Sequence, residues 1–259
     1  MTNSDTNLHG SVVCVTGASR GIGEAVARAF AERGCRLVLL ARSGDVLDVA
    51  SQVSGSTEAV GQCVDVADYA AVQQAISSCV GRWGRIDVLV NAAAILGPTG
   101  EIWTTEPGAW TATLEANLVG TYHTMRAALP FMIEARRGKI INFAGGGAAY
   151  GYPRFSAYAA SKVAVVRLTE TVAMETAQHN VQANVIAPGA IETKMLQAVR
   201  AAGGEVRSAG TMDQPVELVM YLASSASDHI SGRFIHAKDD YQQWTSLSED
   251  LYTLRRVQQ

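Results

Sequence analysis

The stretch 12–41 constrains the fold more than any other part of the chain. An apolar run, Val12-Val13-Cys14-Val15, leads into Thr16-Gly17-Ala18-Ser19-Arg20-Gly21-Ile22-Gly23; apolar residues at helical spacing follow over 22–33, and a second apolar run starts at Arg36 after Gly34. Short apolar runs bounded by glycine read as buried strands, and the 3.6-residue period between them reads as an amphipathic helix. Strand, tight turn, helix and strand make a βαβ unit, whose two strands pair in parallel through a right-handed crossover. The alternation continues, with further strands expected at 59–64, 86–91, 139–144, 182–187 and 233–236 and helical segments between them. Such a pattern implies a mainly parallel sheet with helices on both faces. The fold class is therefore α/β, a single doubly wound Rossmann-type domain over 1–259, with a polar lead-in at 1–10 and a tail at about 238–259. Ligands of such sheets bind at the carboxyl ends of the strands, where the order of strands reverses.

Composition narrows the class of partner. The 259 residues are 48% hydrophobic and 17% charged, enough to bury a large core, and the net charge of −3 with dispersed basic residues gives no footprint for nucleic acid. Arg136, Arg137 and Lys139 read as the basic end of a helix stopped by Gly138. The first ten residues lack the apolar stretch of a secretory signal and no segment supplies a membrane span, so a cytoplasmic protein without membrane partner is expected. Cys14, Cys35, Cys63 and Cys79 form no C-x-x-C pair and the five histidines are scattered, which predicts structural thiols and no catalytic metal. The segment 156–178 carries apolar residues on more than one stripe, including Ala157, Val163, Val165, Val166, Val172 and Met174. A helix lying on a sheet needs one stripe, so a partner subunit is expected on the other, making a homodimer or homotetramer.

The chemistry starts at the glycine turn. Gly17, Gly21 and Gly23 follow a strand and open a helix, a place where missing side chains let the backbone approach a pyrophosphate at the helix N-terminus. The end of the second strand then discriminates between dinucleotides: a carboxylate there would hold ribose hydroxyls, whereas arginine suits a 2′-phosphate. The residues are Ala41 and Arg42, with Arg20 adding a second guanidinium, so NADP is the expected cofactor; the alternative leaves both arginines solvated and turns Asp45 to the ribose. Downstream, Tyr158 and Lys162 stand four apart in Y-A-A-S-K, one helical turn, so that the ammonium can lie beside the phenol. A free phenol titrates at about 10, and a neighbouring cation lowers that value, fitting Tyr158 to exchange a proton with a carbonyl or alcohol oxygen.

With these motifs in place the chain resembles the short-chain dehydrogenases/reductases over nearly its whole length. The resemblance implies a dinucleotide site at Gly17, Ser19, Arg20, Gly21, Ile22 and Gly23, with Arg42, an adenine contact at Asp65-Val66, and a segment after the fourth strand at Asn91-Ala92. It further implies a nicotinamide loop at Pro188-Gly189 with Ile191 and Thr193, and Lys162 touching the nicotinamide ribose beside Tyr158. Asn117 in A-N-L-V-G is similar to the family's helix asparagine that supports the proton relay. The implied activity is NADP(H)-dependent interconversion of a ketone and a secondary alcohol on a small-molecule substrate, with Tyr158, Lys162 and Asn117 catalytic.

One element of the pattern is missing. The family's catalytic serine precedes the tyrosine by 12 to 14 residues, and that segment here reads Ala144-Gly145-Gly146-Gly147, without a hydroxyl. Ala144 is taken as the position of the missing serine. Three explanations stand: a serine replaced by engineering at 144, compensation by Tyr150, Tyr152 or Ser156, or an NADP-binding protein without turnover. Crevice walls are expected at 94–96, 145–154 and 190–199, and Lys238, Asp239, Asp240, Tyr241 and Trp244 in the tail point to a polar, sugar-like or aminocyclitol-like ring. An acyl thioester or steroid is the alternative, disfavoured because 190–210 is short of bulky apolar groups.

Overall fold

The computed structural model describes residues 8–206 and 209–244. Its main sheet has seven strands: β1 (Val12–Thr16), β2 (Arg36–Ala41), β3 (Ala59–Cys63), β4 (Val88–Asn91), β5 (Gly138–Phe143), β6 (Val181–Ala187) and β9 (Phe234–His236). Their order is β3-β2-β1-β4-β5-β6-β9 and every neighbouring pair is parallel. All seven expected strands are present with boundaries within two residues of the sequence reading. The order reverses between β1 and β4, which places the ligand crevice above those two carboxyl ends. A small extra ladder, β7 (Ala190–Ile191) with β8 (Ala209–Gly210), was not legible because two-residue strands carry no periodicity.

The described residues form eight α-helices, most of them lying on the sheet: α1 (Gly21–Glu32), α2 (Asp45–Val53), α3 (Tyr69–Trp83), α4 (Pro107–Leu114), α5 (Gly120–Ala135), α6 (Ser156–Thr176), α7 (Lys194–Ala201) and α8 (Asp213–Ala223). Strand side chains alternate between the two faces. Val13 and Val15 of β1 pack with Leu37 and Leu39 of β2 against α1 and α8, while Val12, Cys14, Val38 and Leu40 pack on the other face against α3 and α5. Burying one such Val or Leu contributes about 1.5–3 kcal/mol, and both faces together fix the register of the sheet. Among the described residues no helix is long and apolar enough to cross a membrane.

Two sequence readings change at the helix ends. The basic group at 136–139 is not a solvated helix terminus stopped by Gly138: Arg136 itself takes the left-handed conformation that ends α5 (φ 48°), and Gly138 opens β5. Arg137 Nε lies 3.4 Å from the buried Asp87, and Lys139 Nζ donates to Asp228 at 2.6 Å, so both cations serve ion pairs within the fold. On α6, Ala157, Val165, Val166, Val172 and Ala173 are buried within the chain, which leaves Val163 and Met174 (77% exposed) as its outward apolar residues.

Candidate active site

The carboxyl ends of the strands open into a cleft of about 1690 Å³. One end is the turn between β1 and α1. Gly17 has φ +67°, and a Cβ there would come within 2.7 Å of Ala93 Cα in the segment after β4. Gly21 has φ +61°, also in the region that favours glycine, and a Cβ on Gly23 would overlap the Gly17 carbonyl. The turn is thus sealed against the β4 loop and the first turn of α1. Only glycine lets the turn close this tightly at the start of α1, the place where the pyrophosphate of a dinucleotide fits.

Most of the expected cofactor residues line this one cleft: Gly17, Ser19, Arg20, Gly21, Ile22 and Gly23 from the turn, Arg42 after β2, Asp65 and Val66 after β3, Ala92 after β4, and Pro188, Gly189, Ile191 and Thr193 after β6. Arg42 Nη1 stands 3.8 Å from Asp65 Oδ2, and Asp65 Oδ1 accepts from Ala67 N at 3.0 Å, so this carboxylate both caps its turn and faces a guanidinium. Thr193 Oγ1 caps α7 by accepting from Leu196 N at 3.3 Å.

Two expected site residues turn away from the cleft. Asn91 Nδ2 donates to Asn142 Oδ1 at 2.8 Å and its Oδ1 accepts from Thr124 Oγ1 at 2.7 Å, while Asn142 continues to Thr169 Oγ1 at 2.9 Å. Asn91 is therefore the centre of a buried network tying β4 and β5 to α5 and α6, because a polar side chain this deep must be satisfied. Asn117, at 0% exposure, sits in a π-helical turn (Glu115–Val119) between α4 and α5. Its amide clamps the β4 loop from both sides, accepting from Ile95 N at 2.8 Å and donating to Ile95 O at 2.9 Å, and donates to Ser161 Oγ at 3.0 Å. Its side chain is spent on positioning the loop against α6 rather than presented to the cleft.

Tyr158 and Lys162 do meet on the cleft wall, one helical turn apart on α6. The electrostatics differ from the sequence reading. Lys162 Nζ donates to the Phe143 carbonyl at 2.9 Å and lies 5.7 Å from the centroid of the Tyr158 ring. Burial lowers the Lys162 ammonium from 10.5 to about 8, and burial, followed by the neighbouring Tyr152, pushes the Tyr158 phenol above its usual range. Desolvation outweighs the cation here, so Tyr158 holds its proton rather than being made acidic by Lys162.

The position in direct approach to Tyr158 is 145. The Ala144 side chain is buried among Ala148, Val165, Val166 and Val185, whereas a Cβ on Gly145 would overlap the Tyr158 hydroxyl and stand 3.0 Å from its Cζ. Ala144 also borders the cleft, but 145 is the position in direct approach to the Tyr158 hydroxyl. Ser156 is not on the wall of the cleft and accepts from Trp110 Nε1 at 3.1 Å.

The rest of the cleft is less polar than the sequence implied. Phe155, Tyr158 and Val199 are buried together with Leu96, Tyr152, Met195, Ala202 and Val206 against them, so α7 and the segment after it do provide an apolar wall. The tail aromatics do not reach it. Tyr241 is buried 5.1 Å from Tyr221, Trp244 packs on the same core, and Asp239 accepts from His236 N at 2.8 Å. Lys238 and Asp239 still border the cleft; the tail beyond Trp244 lies outside the described residues. His236 was missed: it lines the cleft from the end of β9, with Nε2 3.6 Å from where a Gly189 Cβ would stand. Its place at a strand's carboxyl end is the signal that would have found it.

Comparison with known proteins agrees with this geometry. Residues 11–203 match the family described as short chain dehydrogenase. The chain is 32% identical over 237 residues to a 3-oxoacyl-(acyl-carrier-protein) reductase of Thermotoga maritima, covering 88% of this chain and 96% of the relative. It is 35% identical over 192 residues to a 2,3-dihydro-2,3-dihydroxybenzoate dehydrogenase of Bacillus subtilis, covering 73% and 72%. Among solved structures, an NAD+-bound xylitol dehydrogenase superposes with a TM-score of 0.83 at 27% identity, covering 88% of this chain and 98% of the other. A parallel sheet reversing above a glycine cradle, with a tyrosine and a lysine one turn apart at its mouth, thus belongs to a protein of the short chain dehydrogenase family, an oxidoreductase whose family binds a nicotinamide cofactor.

Proposed function

We propose that the protein is an NADP(H)-dependent reductase of a ketone to a secondary alcohol, or its reverse, on a small molecule. The observation that carries this reading is the meeting of Tyr158, Lys162, the glycine turn and the Pro188-Gly189 loop on one cleft. Bound there, a nicotinamide dinucleotide supplies or accepts the hydride. Gly17 through Gly23 would hold its pyrophosphate, Arg20 and Arg42 a 2′-phosphate, Asp65 and Val66 the adenine end, and Ile191 and Thr193 the nicotinamide end.

The chain's own groups handle the proton. Burial keeps Tyr158 protonated, so its hydroxyl is set to give a proton to a carbonyl oxygen. The Lys162 ammonium, 5.7 Å from the ring, stabilises the phenolate as it forms. Leu96, Tyr152, Met195, Val199 and Val206 favour a ring or chain with an apolar body over the sugar-like ring expected from the tail, and polar substituents would reach Arg154, Lys194 or Lys238 at the margin. A homodimer or homotetramer is supported by Val163 and Met174 on α6 and Tyr122 on α5, which remain exposed. A second reading, a dinucleotide-binding protein without turnover, is favoured by one observation: Gly145 offers no hydroxyl beside Tyr158.

NADPH oxidation against a panel of cyclic ketones, oxoacyl thioesters and steroids separates these readings. Turnover that falls at least 10²-fold in Tyr158→Phe supports the reductase. NADPH binding with no turnover of any panel member supports the silent protein.

A further inference from the structure

The run Gly145-Gly146-Gly147 makes room for two phenols. A Cβ on Gly145 would overlap the Tyr158 hydroxyl; one on Gly146 would stand 3.3 Å from Tyr152 Cε1 and 3.5 Å from its Cζ; one on Gly147 would stand 2.9 Å from Tyr152 Cβ. Tyr152 is therefore laid along the glycine backbone with the hydroxyl-bearing edge of its ring over Gly146, next to the residue that faces Tyr158. Its other side is stacked on Phe155, with centroids 4.6 Å apart and planes 21° from parallel, which holds the ring in place. Phe155 and Tyr158 are buried in the same cluster, and Tyr152 packs against that cluster.

We propose that Tyr152 is a catalytic residue whose hydroxyl donates to the substrate oxygen, in place of a serine at 145; the assignment rests on the reductase reading above. A donor for that oxygen has to project into the cleft beside Tyr158. Other hydroxyls of the cleft lie elsewhere: Ser19 and Ser43 belong to the turns after β1 and β2, and Thr193 is engaged in capping α7. Tyr150 is 65% exposed and meets Tyr152 edge-on at 6.5 Å, outside the stacked pair. The Tyr152 hydroxyl, by contrast, has no hydrogen-bond partner within the protein among the described residues, which leaves it free for a ligand. Burial, followed by Tyr150, raises its titration, so it stays a donor at neutral pH. In the reduction, the carbonyl oxygen accepts hydrogen bonds from both phenols, takes its proton from Tyr158 as the hydride reaches carbon, and leaves the Tyr152 proton where it was.

The test is steady-state reduction of 2,2,2-trifluoroacetophenone with NADPH by the native protein, Tyr152→Phe and Tyr158→Phe, alongside thermal unfolding and NADPH binding by fluorescence. Removing one such donor lowers turnover by about 10²-fold. The expected result is that loss in kcat for Tyr152→Phe, with KM for NADPH, NADPH binding and unfolding temperature unchanged. A Tyr152→Phe protein within threefold of native, when Tyr158→Phe is inactive, overturns the assignment and leaves the reductase reading intact. Full turnover in both variants overturns the reductase reading and this one with it, as does a native protein that turns over neither this ketone nor any member of the panel above. A Tyr152→Phe protein that loses NADPH binding along with activity shows a structural role and also overturns the assignment.

Discussion

Lys162 should destabilise the fold it serves. Its ammonium is buried at 3% exposure and titrates at about 8 instead of 10.5. At ~1.4 kcal/mol per pH unit the gap between those values amounts to about 3 kcal/mol against folding with the side chain charged. The sign follows from proton uptake. Because the folded value is depressed, the unfolded chain binds more protons between about 8 and 10.5, so stability rises with pH across that window, and the full penalty is present below it. Lys162→Met removes the charge at similar volume but leaves the Phe143 carbonyl, now bonded at 2.9 Å, without its donor, at roughly 1–2 kcal/mol. The variant is therefore expected to gain about 1–2 kcal/mol near neutrality while losing activity, and to lose that advantage by about pH 10. Urea unfolding of both proteins at the two pH values measures the difference directly. A stability difference that stays constant with pH would refute the argument, as would a variant less stable than native at neutral pH.

Other outcomes follow from the cradle and its rim. Gly17→Ala puts a Cβ 2.7 Å from Ala93 at φ +67°, so it should lower stability by about 2 kcal/mol or more and weaken NADPH binding; an unchanged urea midpoint with native affinity would contradict this. Arg42→Ala should weaken NADPH roughly 10-fold to 100-fold, as loss of a hydrogen bond to a charged group does, while NADH binding and stability hold. Stability holds because the Arg42–Asp65 pair, at 57% and 44% side-chain exposure, contributes at most about 1 kcal/mol. Equal loss for both dinucleotides would place Arg42 outside the discrimination.

The fold was legible because a parallel sheet buried on both faces writes each strand as an apolar run, and the glycines at 17, 21 and 23 mark where the first strand must turn. The site was legible where backbone and spacing decide it: the cradle, and the single helical turn between Tyr158 and Lys162. It was not legible where depth decides. Nothing in the spacing of Asn91 says that Asn142 and Thr124 absorb its side chain, or that Asn117 clamps Ile95. Counting back from Tyr158 pointed to 144, and only the approach of the phenol to Gly145 draws attention to 145. The same holds for the tail, whose aromatics looked available in sequence and are packed on the core in three dimensions.

The fit of Tyr158 against Gly145 also means that the two positions cannot be altered independently. A serine placed at 145 would meet the phenol before it met any substrate, so the ring would first have to recede, and α6, which carries that ring, is tied to its neighbours through the side chains of Ser161 and Lys162. Attempts to convert this site to the family's usual arrangement would pass through a misaligned intermediate, and a gain from the added hydroxyl should emerge only alongside a second change that lets the tyrosine retreat.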